Sequence, residues 1–177
     1  MTIVLLMEPA PSLLRARAIL TRNTSHLLPD VAGLASVAPN GVKDDPLFSA
    51  LLEAAFLVSS ADGQLALEEI GQLADLIAQM TGERVSPGEL AASISSYSAE
   101  LERAGRSSRI EALAASCTEP QARRQIISFA ALVALCDRDL APSELFVLHS
   151  LGRALGVTMG EVNTIVRSLK GELGMEG

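Results

Sequence analysis

The sequence predicts an all-α protein: a bundle of about seven helices built on two pseudo-repeated helical hairpins, preceded by an irregular N-terminal extension. Three observations carry this. Of 177 residues, 49% are apolar but only 3% aromatic, with no Trp and one Tyr. Leu, Ala, Ile and Val must therefore build the core, which suits close-packed helices better than sheets rich in β-branched and aromatic residues. From Asp44 onward, helix-start and helix-stop residues recur at helical intervals. Finally, a shift of 75 residues brings two segments of the chain into register.

Residues 1–44 form the extension, with Pro9, Pro11, Pro29, Pro39, Gly33 and Gly41 breaking any regular element. One short helix is expected from Ser12 to Arg22, where Arg15, Arg17 and Arg22 lie among Leu13, Leu14, Ile19 and Leu20. Such a basic amphipathic stretch can pack on its own domain, or lie on a partner or a membrane surface. Met1 to Met7 is apolar and is the one ambiguous strand candidate. It is too short for a signal segment, lacks a preceding positive charge, and is followed at once by Glu8.

The helical domain is expected over 45–177. Asp45-Pro46 reads as cap and first-turn proline of a helix over 46–60. A helix over 67–81 follows, stopped by Gly82. Ser86-Pro87-Gly88-Glu89 is a capping box opening a helix over 87–103, with Gly105 as its stop. Ser108-x-x-Glu111 and Thr118-x-x-Gln121 have the same form and mark helices over 108–116 and 120–136. The nearly apolar run Ile126–Cys136 makes the second of these a buried core helix. The last two helices span 142–155, ending at Gly156, and 159–171, opened by Thr158-x-x-Glu161.

The repeat aligns Leu57 to Ile70 with Leu132 to Leu145, and Leu73 and Leu76 with Leu148 and Leu151. Both copies read apolar helix, Asp, short turn containing Leu-Ala, Glu, apolar helix, which is an αα-hairpin present twice. The matched polar residues are acids: Asp62 with Asp137, and Glu69 with Glu144. A turn that folds back lets Asp and Glu face the same end of each hairpin. Two such hairpins can bring four carboxylates together, with Asp139 as a fifth. Crowded carboxylates repel unless a cation neutralises them or some are protonated, and hard oxygen donors select Ca²⁺, Mg²⁺ or Mn²⁺ rather than zinc. The competing reading is structural: the glutamates cap their own helices and the aspartates accept turn amides. An EF-hand is excluded, because counting from Asp62 or Asp137 puts Leu67 or Pro142 at the glycine position and Leu73 or Leu148 at the glutamate position.

The stretch Ala61-Asp62-Gly63-Gln64-Leu65-Ala66-Leu67-Glu68-Glu69 resembles the A-D-G-x-[IL]-x-x-x-E hallmark of the TerB-like family of tellurite-resistance proteins. The stretch Cys136 to Glu144 is similar to that family's second, D-x-x-[IL]-x-P-x-E copy, and the helix ending Ala154-Leu155-Gly156-Val157 to the one that follows it. The resemblance covers about 45–171. It implies two pseudo-repeated hairpins and an acidic divalent-metal site, here Asp62, Glu69, Asp137 and Glu144. It also implies a stress-response role, tellurite included, exercised through protein partners, with no established catalysis. Two positions depart from the pattern. Arg138 stands opposite Gly63, bringing a cation to the second acid cluster, and Ala141 stands where a Ser/Thr cap is usual.

Composition removes several functions. A formal net charge of −7 argues against a general nucleic-acid binder. Cys117 and Cys136 lie 19 apart with no ligand-spaced histidine, as expected of two buried small side chains in a reducing cytoplasm. No apolar run reaches membrane-spanning length. No nucleophile elbow, zinc-protease or phosphate-loop motif is present, so no enzyme is expected. A metal-dependent hydrolase is the remote alternative, with Arg138 the one cation beside the acids. His26 and His149 have no ligand-spaced partners, and His149 is expected to be a partly buried structural residue. Arg103, Arg106, Arg109, Arg123 and Arg124 read as a solvated basic face or a docking surface. Three functional readings follow: a divalent-cation-binding module, a metal-free interaction scaffold, or the remote hydrolase.

Overall fold

The computed structural model describes residues 46–62, 86–136 and 140–175. Six helices occupy these residues: α1 Pro46–Ser59, α2 Pro87–Ala104, α3 Arg106–Ser116, α4 Pro120–Leu135, α5 Pro142–Ala154 and α6 Met159–Leu173. Each matches an expected helix to within two residues at either end. The helices expected over 67–81 and from Ser12 to Arg22, and the strand candidate Met1–Met7, lie outside the described residues.

Two helices each carry a long, nearly apolar run that is buried on every side. In α1 each residue from Ala50 to Val58 is buried, and in α4 each from Ile126 to Leu135. A helix without a polar face must be enclosed by others. Among the described helices the most extensive contact is accordingly α1 against α4. The remaining helices are amphipathic and cover this pair. In α6 the buried residues are Val162, Ile165, Val166, Leu169 and Leu173, one stripe at helical spacing. In α3 they are Ile110, Leu113 and Ala114. Helix α2 covers α1 with Leu90 and Ile94, and Tyr97 lies against Phe56 with ring centroids 6.0 Å apart. Helix α5 packs on α1, α3, α4 and α6. Its crossing with α6 is close, because Gly152 leaves no room for a Cβ, which would lie 2.7 Å from Val162 Cγ2.

Two expected capping boxes are present. Glu89 N donates to Ser86 Oγ at 3.2 Å while Ser86 N donates to Glu89 Oε2 at 3.0 Å. Thr158 and Glu161 repeat the exchange, at 3.2 and 2.9 Å. The backbone and hydroxyl donors of Thr158, with Arg124, hold the Glu161 carboxyl below the usual carboxylate range. The reciprocal bond therefore persists into mildly acid solution and is lost as pH falls through that lowered value. Thr158→Ala is expected to cost about 1 kcal/mol in urea unfolding at neutral pH. An unchanged midpoint would show that the cap is dispensable.

Two other expected caps are corrected. Ser108 does not open α3. Gly105, at φ +80°, ends α2 and starts α3 by itself, so the helix begins at Arg106 and Ser108 lies inside it. Thr118 does not open α4. The residue before a proline is pushed out of the α region, so Glu119, with ψ 122°, becomes the flanking residue before Pro120. Neither Gly105 nor Glu119 makes a side-chain cap bond.

Candidate functional site

The acidic turns begin where α1 ends. Ser60 and Ala61 continue the last turn through amide bonds to Phe56 O and Val58 O. Asp62 follows and is exposed. The carbonyls left over at this end have a partner from another helix. Arg106, in the first turn of α3, donates Nη1 to Leu57 O and to Ser60 Oγ, and Nη2 to Ser60 O at 2.7 Å. A guanidinium thus sits on the negative end of the α1 dipole. Burial pulls the Arg106 pKa down from its ordinary value, and the negative charge of Asp62 opposes that shift.

The second turn is described from Leu140 onward. Ala141 is extended, at φ −67° and ψ 152°, and α5 starts at Pro142. Glu144 falls in the first turn and is 4% exposed. Its Oε2 accepts from Ala141 N at 2.8 Å. An alanine cannot return the bond as serine does, so this is half of a capping box, made by the glutamate. The carboxylate is thereby fixed at the positive end of the α5 dipole even without the Ser/Thr cap.

Of the expected metal ligands, Asp62 and Glu144 are described, the first exposed at the end of α1 and the second buried at the start of α5. Glu69, Asp137 and Asp139 lie outside the described residues. Among the described residues no three His, Cys, Asp or Glu side chains gather as a metal-binding group. Carboxylate oxygens are hard donors suited to Ca²⁺ or Mg²⁺, and Glu144 is the kind of backbone-oriented carboxylate such a site uses.

The arginines do not form one solvated face. Arg103 and Arg124 remain exposed, paired with Glu100 at 2.6 Å and Glu161 at 3.3 Å. Arg106, Arg109 and Arg123 are drawn inward because buried acceptors need donors. Arg123 donates Nε to Cys117 O at 2.8 Å and Nη1 to Leu155 O at 3.2 Å, serving the ends of α3 and α5 together. Arg109 donates Nε and Nη2 to one oxygen of Glu53, at 2.8 and 2.6 Å. Glu53 was not among the residues singled out from the sequence. Its signal was a lone acid in the otherwise apolar run of α1.

His149 is half-buried and bonded through Nε2 to Asn163 Oδ1 at 2.8 Å, a tie between α5 and α6. Cys117 and Cys136 are both buried and unbridged. Among the described residues no helix is long and apolar enough to cross a membrane.

The family model described as "Tellurite resistance protein TerB" matches residues 49–167, from within α1 to within α6. The chain belongs to the TerB family. No curated protein and no solved structure matches it. In this TerB chain the matched stretch contains both acidic turns, the Arg106 cap and the Glu53–Arg109 pair.

Proposed function

We propose that this TerB-family chain is a non-catalytic, cytoplasmic helical module. In this reading it holds a divalent cation, Ca²⁺ or Mg²⁺, between its acidic turns and works through protein partners in a tellurite or other stress response. Asp62, Glu69, Asp137 and Glu144 supply the ligands, with Asp139 available as a fifth. The observation that supports this most is Glu144. It is an almost fully buried carboxylate, oriented by Ala141 N–H, directly after an acidic turn. A carboxylate held in place by a backbone amide is a hard oxygen donor suited to Ca²⁺ or Mg²⁺. When bound, the cation would tie the two turns together and couple their relative position to its concentration.

A second reading has its own support. The Ala141–Glu144 bond and the Arg106 guanidinium beside Asp62 serve a metal-free scaffold whose acids are caps and charge partners.

Thermal melting against Ca²⁺ and Mg²⁺, with metal content of the purified protein by mass spectrometry, separates the two. The cation reading expects bound metal and a stabilisation of about 2.7 kcal/mol at a hundredfold excess over Kd. That gain should vanish when Asp62→Asn and Asp137→Asn are combined. Absence of any shift in the wild-type chain sinks the cation reading. The scaffold reading then expects each substitution to cost about 1 kcal/mol whatever the metal concentration.

A further inference from the structure

The corner between α5 and α6 holds a groove of about 440 Å³. Phe146, His149 and Arg153 line it from α5, and Val157 and Met159 from the turn and the start of α6. Phe146 is 72% exposed and Met159 63%, the two large apolar side chains left in solvent among the described residues. Gly156, at φ +72°, turns the chain beneath the groove. Val157 N bonds Gly152 O at 2.8 Å, and the His149–Asn163 bond holds the two helices together. The groove is therefore formed before anything enters it.

Its charge is unlike that of the chain. The net charge is −7, yet among the described residues that line the groove none is acidic and Arg153 carries the one formal charge. Arg153 is exposed and makes no ion pair among the described residues. A cation in the last turn of a helix favours the helix dipole. That role is already filled at the end of α5, where Arg123 takes Leu155 O and Gly156 N takes Arg153 O. Arg153 therefore brings an exposed cation to the rim of an apolar groove.

We infer that this groove docks a short acidic amphipathic segment of a partner protein. A large apolar side chain of the segment rests on Phe146, Val157 and Met159, and a neighbouring carboxylate pairs with Arg153. The inference rests on the reading that the module works through a protein partner, and names the surface and chemistry of that contact. A second copy of this chain fits less well. A stable dimer buries about 800 Å² per partner, and two-fold pairing across so small a patch would bring the two Arg153 charges together.

The test is selection from a random 12-residue peptide library against the full chain, with Phe146→Ser and Arg153→Glu as comparators. Both changes are at exposed side chains and leave the core untouched. Enriched peptides should carry a large apolar residue within a turn of Asp or Glu. Phe146→Ser should weaken them about tenfold or more, and Arg153→Glu should shift the enriched charge from acid to Lys or Arg. Peptides that bind both variants as well as wild type overturn the groove but leave a partner-binding module. An empty selection overturns the groove and counts against the partner reading as well. A concentration-dependent dimer by sedimentation, lost in Phe146→Ser, overturns the inference in favour of a second copy.

Discussion

Phe129→Ala is expected to destabilise the protein by about 3–5 kcal/mol, the largest effect of any single substitution considered. Phe129 is in α4 and is 2% exposed, within the unbroken buried run Ile126–Leu135. Helices α1, α5 and α6 all pack on α4, so the lost ring leaves a cavity bounded by several elements rather than one that a single loop can close. The transfer term and the cavity term then add. A domain of this size is stable by only about 5–15 kcal/mol, so the variant should stand close to its unfolding threshold. Urea unfolding checks this: the midpoint should fall sharply with little change in slope. A loss under about 1 kcal/mol would mean that α4 is not the central helix.

Arg109→Met is expected to cost about 2–4 kcal/mol, by a different route. Glu53 is 8% exposed in the middle of α1, and both Arg109 bonds fall on one of its oxygens. Removing the guanidinium strands a buried carboxylate, which for fully buried pairs costs about 3–5 kcal/mol. The Arg109 side chain retains 22% exposure, and water there softens the penalty. The decisive comparison is the double variant Glu53→Leu with Arg109→Met. With both charges gone no group is stranded, and much of the loss should return. Additive losses would show that the pair is not coupled. Tyr97 provides an independent readout, being the chain's single tyrosine. Burial raises its phenol above the ordinary value, Glu53 adds to the rise, and Arg109 opposes it. In Arg109→Met the opposing charge is gone, so an ultraviolet titration should place Tyr97 higher still.

These two positions mark the boundary of what sequence reasoning could reach. The burial of α4 was legible, since a run from Ile126 to Cys136 with almost no polar residue has no face to offer water. The Glu53–Arg109 pair was not. Its members lie 56 residues apart, and neither has a local pattern that names the other. Read alone, Arg109 looks like one more basic residue on a helix surface. The same holds for Arg106 and Arg123, whose acceptors are carbonyls at the ends of other helices. Glu144 divides the two cases. Its bond to Ala141 N follows from a spacing of three residues, whereas its burial follows from where α5 packs.

Local chemistry was enough to place the six described helices and two of their caps, because propensity, capping and apolar periodicity act within a few residues. It misplaced the start of α3, where Gly105 overrode Ser108, and the cap but not the start of α4, where Pro120 overrode Thr118. The partners of charged side chains, the enclosure of α1 and α4, and the groove at Phe146 and Arg153 arise from contacts between distant segments. Each depends on which helix faces which, and that is set by packing the whole core at once.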